Sequence, residues 1–255
     1  IFLGACPKMG KTTLALHFAL AAAKTVPVLF FTLEMLPEEL ADRQLARKSE
    51  VGAFKLKTGQ LNDEEMQKVA RAIAELSQLK LSWVKKSPIT VAEIRALCVR
   101  HKLEKGLGLV IIDQLDKINL EYRANENKVD AIGRVTSSLK ALARDLGVPV
   151  ICLVQLLDKA VSRREDPRPR WGDVRDSSYP DQDCDVMLYL WRPEVYPSFK
   201  DPKWRNLAEV IIARQRAGRD GISIWLQWER DITAFRLLAE WAWPRKEGGT
   251  ADERS

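Results

Sequence analysis

The tightest limit on the fold comes from an alternation that fills the first 155 residues. Short, continuous apolar runs are separated by stretches with helical periodicity. The runs are Ile1–Leu3, Val28–Leu33, Leu109–Ile112 and Val148–Val154, and Leu79–Val84 is a further short strand. Apolar runs this short, with few polar interruptions, are the pattern of strands buried on both faces. Between them lie the helices. One covers Lys11 to Lys24. Another starts at Pro37, with Glu38 and Glu39 in its first turn, where the helix dipole favours acids. A third is capped by Asn62 with Glu65 and has an apolar face of Met66, Val69, Ile73 and Leu76. A fourth opens on the capping-box pair Thr90 and Glu93. The last runs from Lys128 to Leu146 and repeats Ile132, Val135, Leu139, Leu142 and Leu146 every three or four residues. Such alternation predicts the α/β class, a mainly parallel sheet flanked by helices. After Gln155 the pattern changes. Residues 157–183 are polar, rich in Arg, Asp and Pro, and predict one long loop, a feature usually tied to function or disorder. Three added C-terminal strands are predicted at Val186–Trp191, Ala208–Ala213 and Ile222–Leu226. With neither an internal repeat nor a linker, residues 1–245 read as one domain and 246–255 as a polar tail.

The first loop carries the chemistry. Ala5-Cys6-Pro7-Lys8-Met9-Gly10-Lys11-Thr12-Thr13 follows an apolar strand and opens a helix, which is the context of a phosphate-binding P-loop, with Ala5 in place of the usual first glycine. In such a loop successive backbone N–H groups face the phosphates, and Gly10 allows close approach. Lys11 reaches the β- and γ-phosphates, and Thr12 offers a hydroxyl to Mg²⁺. Asp113 closes the run Leu-Val-Ile-Ile-Asp, at the strand end where α/β sheets bind ligands. Its expected task is to hold Mg²⁺ opposite Thr12. Glu34 ends the preceding apolar run at the same sheet edge, where a carboxylate can polarise a water; the alternative is an acid at the N-terminus of the next helix, a purpose Glu38 or Glu39 serves equally. Cys6 sits beside Lys8 and a helix N-terminus, so it is either an acidified thiol or simply a small side chain that fits.

Composition narrows the class. No run approaches the ~18–20 apolar residues of a membrane helix, so no membrane partner is expected. Cys6, Cys98, Cys152 and Cys184 form no CxxC pair and have only His17 and His101 beside them. That argues against a disulfide scaffold or structural zinc and fits reduced thiols in the cytoplasm. The chain starts at Ile1, already within a strand, and is expected to be a piece of a longer protein. The formal net charge is +6, but it is diffuse: residues 151–200 hold 8 Lys and Arg against 9 Asp and Glu. Charge alone therefore gives no nucleic-acid footprint. Seven of the eight tryptophans follow residue 170. Most are expected in packing, with only Trp171, in the polar loop, placed to meet DNA.

The ordered motifs resemble those of the DnaB family of replicative DNA helicases, whose motor is a RecA-like domain. The P-loop is similar to that family's. So are Thr32-Leu33-Glu34-Met35, Ile111-Ile112-Asp113-Gln114-Leu115, Ser138-Leu139-Lys140-Ala141-Leu142-Ala143, Leu153-Val154-Gln155-Leu156, Asp173-Val174-Arg175-Asp176-Ser177-Ser178, Gln182-Asp183-Cys184-Asp185, Arg192-Pro193-Glu194-Val195-Tyr196 and Ile211-Ile212-Ala213-Arg214-Gln215-Arg216. The match runs from residue 1 to about 236. The resemblance implies that Glu34 activates water, that Gln155 senses the γ-phosphate, and that Arg175, Asp176 and Ser178 belong to a loop gripping single-stranded DNA. It also implies that Arg214 and Arg216 reach the nucleotide of the adjoining subunit. Arg214 stands where the family has Lys, Asp176 where it has Glu, and Ser178 where it has Gly. Two arginines alternating on a strand share one face.

The implied function is an ATP- and Mg²⁺-dependent motor that moves on single-stranded DNA and unwinds duplex at a replication fork. The implied partners are further copies in a hexameric ring, a helicase loader and primase. The alternative is a RecA-like ATPase of a plasmid or mobile element, acting as a DNA loader or assembly switch without unwinding.

Overall fold

A computed structural model describes residues 1–176, 179–239 and 242–244. Ser178, Trp241 and the expected tail 246–255 lie outside the described residues. Among the described residues, nine strands form one sheet in the order β3-β2-β4-β5-β1-β6-β7-β8-β9. The strands are β1 (Phe2–Ala5), β2 (Val28–Thr32), β3 (Leu81–Lys85), β4 (Leu109–Asp113), β5 (Val150–Gln155), β6 (Val186–Trp191), β7 (Leu207–Gln215), β8 (Ile222–Glu229) and β9 (Ala234–Leu237). Strands β1 to β6 pair in parallel, and β7 to β9 extend the sheet antiparallel. The helices are α1 (Lys11–Ala23), α2 (Pro37–Ser49), α3 (Ala53–Thr58), α4 (Asp63–Ser77), α5 (Val91–Lys105), α6 (Lys128–Leu146), α7 (Asp158–Ser162) and α8 (Tyr179–Asp183). Among the described residues, no helix is long and apolar enough to cross a membrane.

The central strands are apolar on both faces because both faces are covered. Every residue of β1, β2 and β4 is buried, including Phe30, Phe31, Ile111 and Ile112. The sequence-predicted caps form. Asn62 and Glu65 exchange hydrogen bonds at the start of α4, and Thr90 and Glu93 do so at α5.

Four expectations need correction. The stretch 157–183 is not one loop: it holds α7 and α8, and a bridge joins Val174 to Leu156 beyond the end of β5. Beyond β5 and β6 come three antiparallel strands, not two, because β9 pairs with β8 after a turn. Strand β3 starts at Leu81 and β5 at Val150, each two residues later than expected. The apolar side of α4 is only partly covered: Met66 and Ile73 are exposed, and Ala72 is the buried residue. The tryptophan expectation holds for Trp191, Trp225 and Trp228, which are buried, while Trp171 is 48% exposed.

His17 of α1 ties β9 to the core. Its Nε2 accepts the Phe235 backbone N–H at 3.2 Å, which requires a neutral ring. Burial, with Arg47 nearby, lowers its pKa from 6.5 to about 4. Between these values the unfolded chain takes up a proton that the folded chain refuses. The stability His17 contributes is therefore complete above its unfolded value and is lost as pH falls from about 6.5 towards about 4. Thermal melts at pH 7 and pH 5 should show this fall. His17→Gln, which keeps an acceptor without titrating, should flatten it.

Candidate functional site

The P-loop joins the buried end of β1 to α1. Ala5, Cys6 and Met9 are buried and hold the loop down, while Pro7 and Lys8 are exposed. Gly10 turns the chain into α1 at φ 96°, and a Cβ there would meet Phe235 at 2.9 Å. Both the backbone and the space therefore ask for glycine. The longer helices α2, α4, α5 and α6 all carry acids in their first turns, but α1 carries none and has no side-chain cap. Its N-terminal N–H groups and positive dipole end are thus left for an anion. Thr13, the next threonine, is buried.

Around this loop lies a cavity of about 510 Å³, lined by the P-loop together with Glu34, Arg43, Gln114, Gln155, Arg192 and Trp228. Thr12 Oγ1 donates to Asp113 Oδ2 at 2.8 Å. Strand β4 brings Asp113 there at 3% exposure, and burial raises its pKa, opposed by the Thr12 hydrogen bond and the Lys11 charge. Lys11 Nζ donates to Gln114 Oε1 at 2.5 Å and to the Val154 carbonyl at 3.1 Å. Burial lowers its pKa, while Asp113 and Asp116 oppose that. Gln114 Nε2 in turn donates to Glu34 Oε2 at 2.9 Å. Lys11, Gln114 and Glu34 thus form one hydrogen-bonded line, with Thr12 and Asp113 beside it. A hydroxyl and a carboxylate next to a phosphate loop are the oxygen donors Mg²⁺ accepts, since that ion keeps most of its shell as water and phosphate. Among the described residues no group of three or more His, Cys, Asp or Glu is arranged to hold a metal by itself.

Cys6 is the small buried side chain of the two alternatives: burial pushes its thiol up to about 11, the opposite of an acidified one.

Gln155, at the end of β5, reaches from the cavity to the polar segment behind it. Its carbonyl accepts the Arg175 N–H at 2.9 Å, and Leu157 N–H donates to the Asp173 carbonyl at 2.9 Å. The Asp173 carboxylate accepts both terminal nitrogens of Arg164, at 2.8 and 2.5 Å. The Arg175 side chain is exposed. Asp176, at φ 67°, pairs with Lys128 at 2.7 Å.

Neither Arg214 nor Arg216 lines the P-loop cavity. Arg214 Nη1 donates to the Asp181 carbonyl at 3.1 Å, and its guanidinium lies 5.1 Å from the Trp171 ring centre. Arg216 pairs with Asp185 at 3.1 Å. Strand alternation does not set both, because β7 ends at Gln215 and its register shifts opposite Met187 and Leu188.

Two residues of the quoted motifs that were given no role meet the cavity. Gln114 is the bridge between Lys11 and Glu34. Arg192 is buried, ion-paired with Glu194, and lies 4.5 Å from the Trp228 ring centre on the cavity wall. A polar residue after a strand-end acid and an arginine after an apolar strand were the available signals.

Residues 1–237 match the family model described as DnaB-like helicase C terminal domain. The chain is 39% identical over 223 residues to the replicative DNA helicase DnaB of Geobacillus stearothermophilus, covering 87% of this chain and 48% of that protein. It is 38% identical over 224 residues to the replicative DNA helicase DnaC of Bacillus subtilis (strain 168), with the same coverage. The chain thus spans about half the length of these curated relatives. A solved structure described as an ATPase domain superposes with a TM-score of 0.87 at 30% identity, over 93% of this chain and 84% of that one. A DnaB-like replicative helicase, solved in a study of its interactions with primase, gives the same TM-score and identity over 93% of this chain and 58% of that one. With its parallel sheet, phosphate loop and ordered motifs, this chain belongs to the DnaB-like helicase C-terminal domain family.

Proposed function

We propose that this chain is the ATP-hydrolysing motor of a replicative DNA helicase, with residues 1–245 acting as one unit in the cytoplasm. The observation that carries the reading is a continuous connection. Lys11 bonds to Gln114 and to the carbonyl of Val154, and the next residue, Gln155, bonds to the backbone of Arg175. Nucleotide and DNA segments are thereby one hydrogen-bonded body. In this reading Ala5 to Thr13 cradle the phosphates and Lys11 neutralises the transferring group. Thr12 and Asp113 would hold Mg²⁺, which would offset the negative charge of the phosphates. Glu34 takes a proton from the attacking water, and Gln114 fixes Glu34 in place. Gln155 passes the phosphate state to the segment of Arg175, Asp176 and Ser178, which holds single-stranded DNA. Arg214 and Arg216, tied away from their own P-loop, serve the nucleotide of the next copy in a hexameric ring. Such head-to-tail contacts close only in a ring. Primase and a loader are the further partners, primase being the one named for the solved relative.

The test is strand separation on a forked duplex by the full-length protein, measured alongside ATP turnover. Turnover stimulated by single-stranded DNA, with unwinding, is the expected result. Stimulation without unwinding would favour an ATPase of a mobile element that loads or assembles on DNA.

A further inference from the structure

Asp181 sits where the DNA segment and Arg214 meet, and it is fully buried. A carboxylate out of water is tolerated only with strong donors. Asp181 has one for each oxygen: Tyr189 OH donates to Oδ1 at 2.9 Å, and the Gly172 N–H donates to Oδ2 at 2.9 Å. Burial raises its pKa, and these two donors oppose that. Its backbone carbonyl accepts Arg214 Nη1 at 3.1 Å and the Cys184 thiol at 3.1 Å.

The two routes from Asp181 converge. Gly172 holds φ 88°, a conformation that favours glycine, and it directly follows Trp171, whose ring faces the Arg214 guanidinium at 5.1 Å. Arg214 is therefore held both by the Asp181 carbonyl and by a ring whose neighbour hangs on the Asp181 carboxylate. The chain after Gly172 runs straight into Asp173–Asp176, the segment bonded to the end of β5. Tyr189, fully buried on β6, anchors the assembly to the sheet, where its ring would meet a Cβ at Gly4 of β1 at 2.9 Å.

We propose that Asp181 is a positioning residue that fixes the DNA-holding segment and Arg214 as one body, so that DNA on the segment sets the arginine offered to the adjoining subunit. The proposal rests on the reading above in which Arg214 serves the neighbour's nucleotide. A purely structural Asp181 would affect turnover whatever stands at position 214; a positioning one acts only through Arg214.

A double-mutant cycle on the ATPase of the full-length protein, with and without single-stranded DNA, separates these. Asp181→Asn keeps the shape but offers one carbonyl oxygen to two donors. It is expected to lower DNA-stimulated kcat about tenfold or more, the worth of a hydrogen bond to a charged group, and to leave the KM for ATP within about twofold. In an Arg214→Ala background the same substitution is expected to change kcat by less than about twofold, since the group it acts through is gone. A full-sized effect in both backgrounds, or no effect in the unmodified one, overturns the inference. Arg214→Ala alone with unchanged turnover overturns the underlying reading instead, whatever Asp181 does. Should Asp181→Asn fail to fold, Tyr189→Phe goes through the same cycle. It removes one donor only, so a smaller loss, again absent without Arg214, is expected, and a folded Tyr189→Phe protein with unchanged kcat overturns the proposal.

Discussion

Lys11→Ala is expected to lower kcat for ATP by about 10²–10³-fold, the usual cost of removing one preorganised donor from a developing negative charge. The reason lies in how the amine is held. Its Nζ has two fixed acceptors, Gln114 Oε1 and the Val154 carbonyl, so its position does not depend on a flexible stem finding the phosphate. Burial lowers its pKa, but nearby Asp113 and Asp116 favour the charged form. The cation is thus poised in a place of low dielectric, where a charge acts strongly on phosphate. Lys11→Arg is not a conservative rescue. A planar guanidinium places its donors in a fork rather than at a point, and the distances to Gln114 and Val154 leave little room for it. The alanine variant also removes the bond from the amine to the Val154 carbonyl, so some loss of stability is expected. Thermal melts should accompany the kinetics, and turnover should be compared at a temperature where both proteins are folded. A folded Lys11→Ala protein that turned over ATP at the unmodified rate would remove the P-loop from the mechanism.

What could be seen in the sequence divides along a physical line. Features set by neighbours in the chain were legible. The buried strands announce themselves as apolar runs because both faces of β2 and β4 are covered. The caps at Asn62 and Thr90 need only a residue three positions on. The P-loop is a local turn whose glycine and helix follow at once. Features made by long-range meeting were not. Gln114 acquires its role only when β4, α1 and the end of β2 converge, across separations of 103 and 80 residues. The periodicity of α4 predicts an apolar side but not what covers it, and Met66 and Ile73 stay exposed. Strand β9 has four residues, two of them exposed, and owes its existence to the edge of β8 rather than to an apolar run. The short helices α7 and α8 sit in a polar stretch whose order comes from buried acids, Asp173 and Asp181, each satisfied by donors distant in pattern though near in chain. The roles proposed for Gln155 and the two arginines came from the ordered motifs, not from periodicity or charge.

The second large effect belongs to Glu34. Three acids crowd the entry to α2, and composition cannot choose among Glu34, Glu38 and Glu39. The geometry does. Glu34 Oε2 accepts a hydrogen bond from Gln114 Nε2, and Gln114 also holds Lys11, so this carboxylate is fixed relative to the phosphate site. Glu38 and Glu39 occupy the first turn of α2, both exposed, where they favour the helix dipole. Glu34 is itself exposed and lines the cavity, so it can meet a water there. Glu34→Gln keeps the size and an acceptor oxygen for Gln114 but cannot take a proton. A general base contributes about 10²–10⁴-fold, so kcat for ATP is expected to fall by that factor. Nucleotide affinity should stay within about threefold, because no phosphate contact has been removed. Single-turnover hydrolysis and equilibrium binding of a fluorescent ATP analogue measure the two separately. Glu38→Gln and Glu39→Gln, changing the same charge outside the hydrogen-bonded line, should leave kcat within about twofold. If Glu38→Gln or Glu39→Gln instead produced the large loss while Glu34→Gln turned over normally, the base would lie on α2. The Lys11–Gln114–Glu34 line would then serve only to place the lysine.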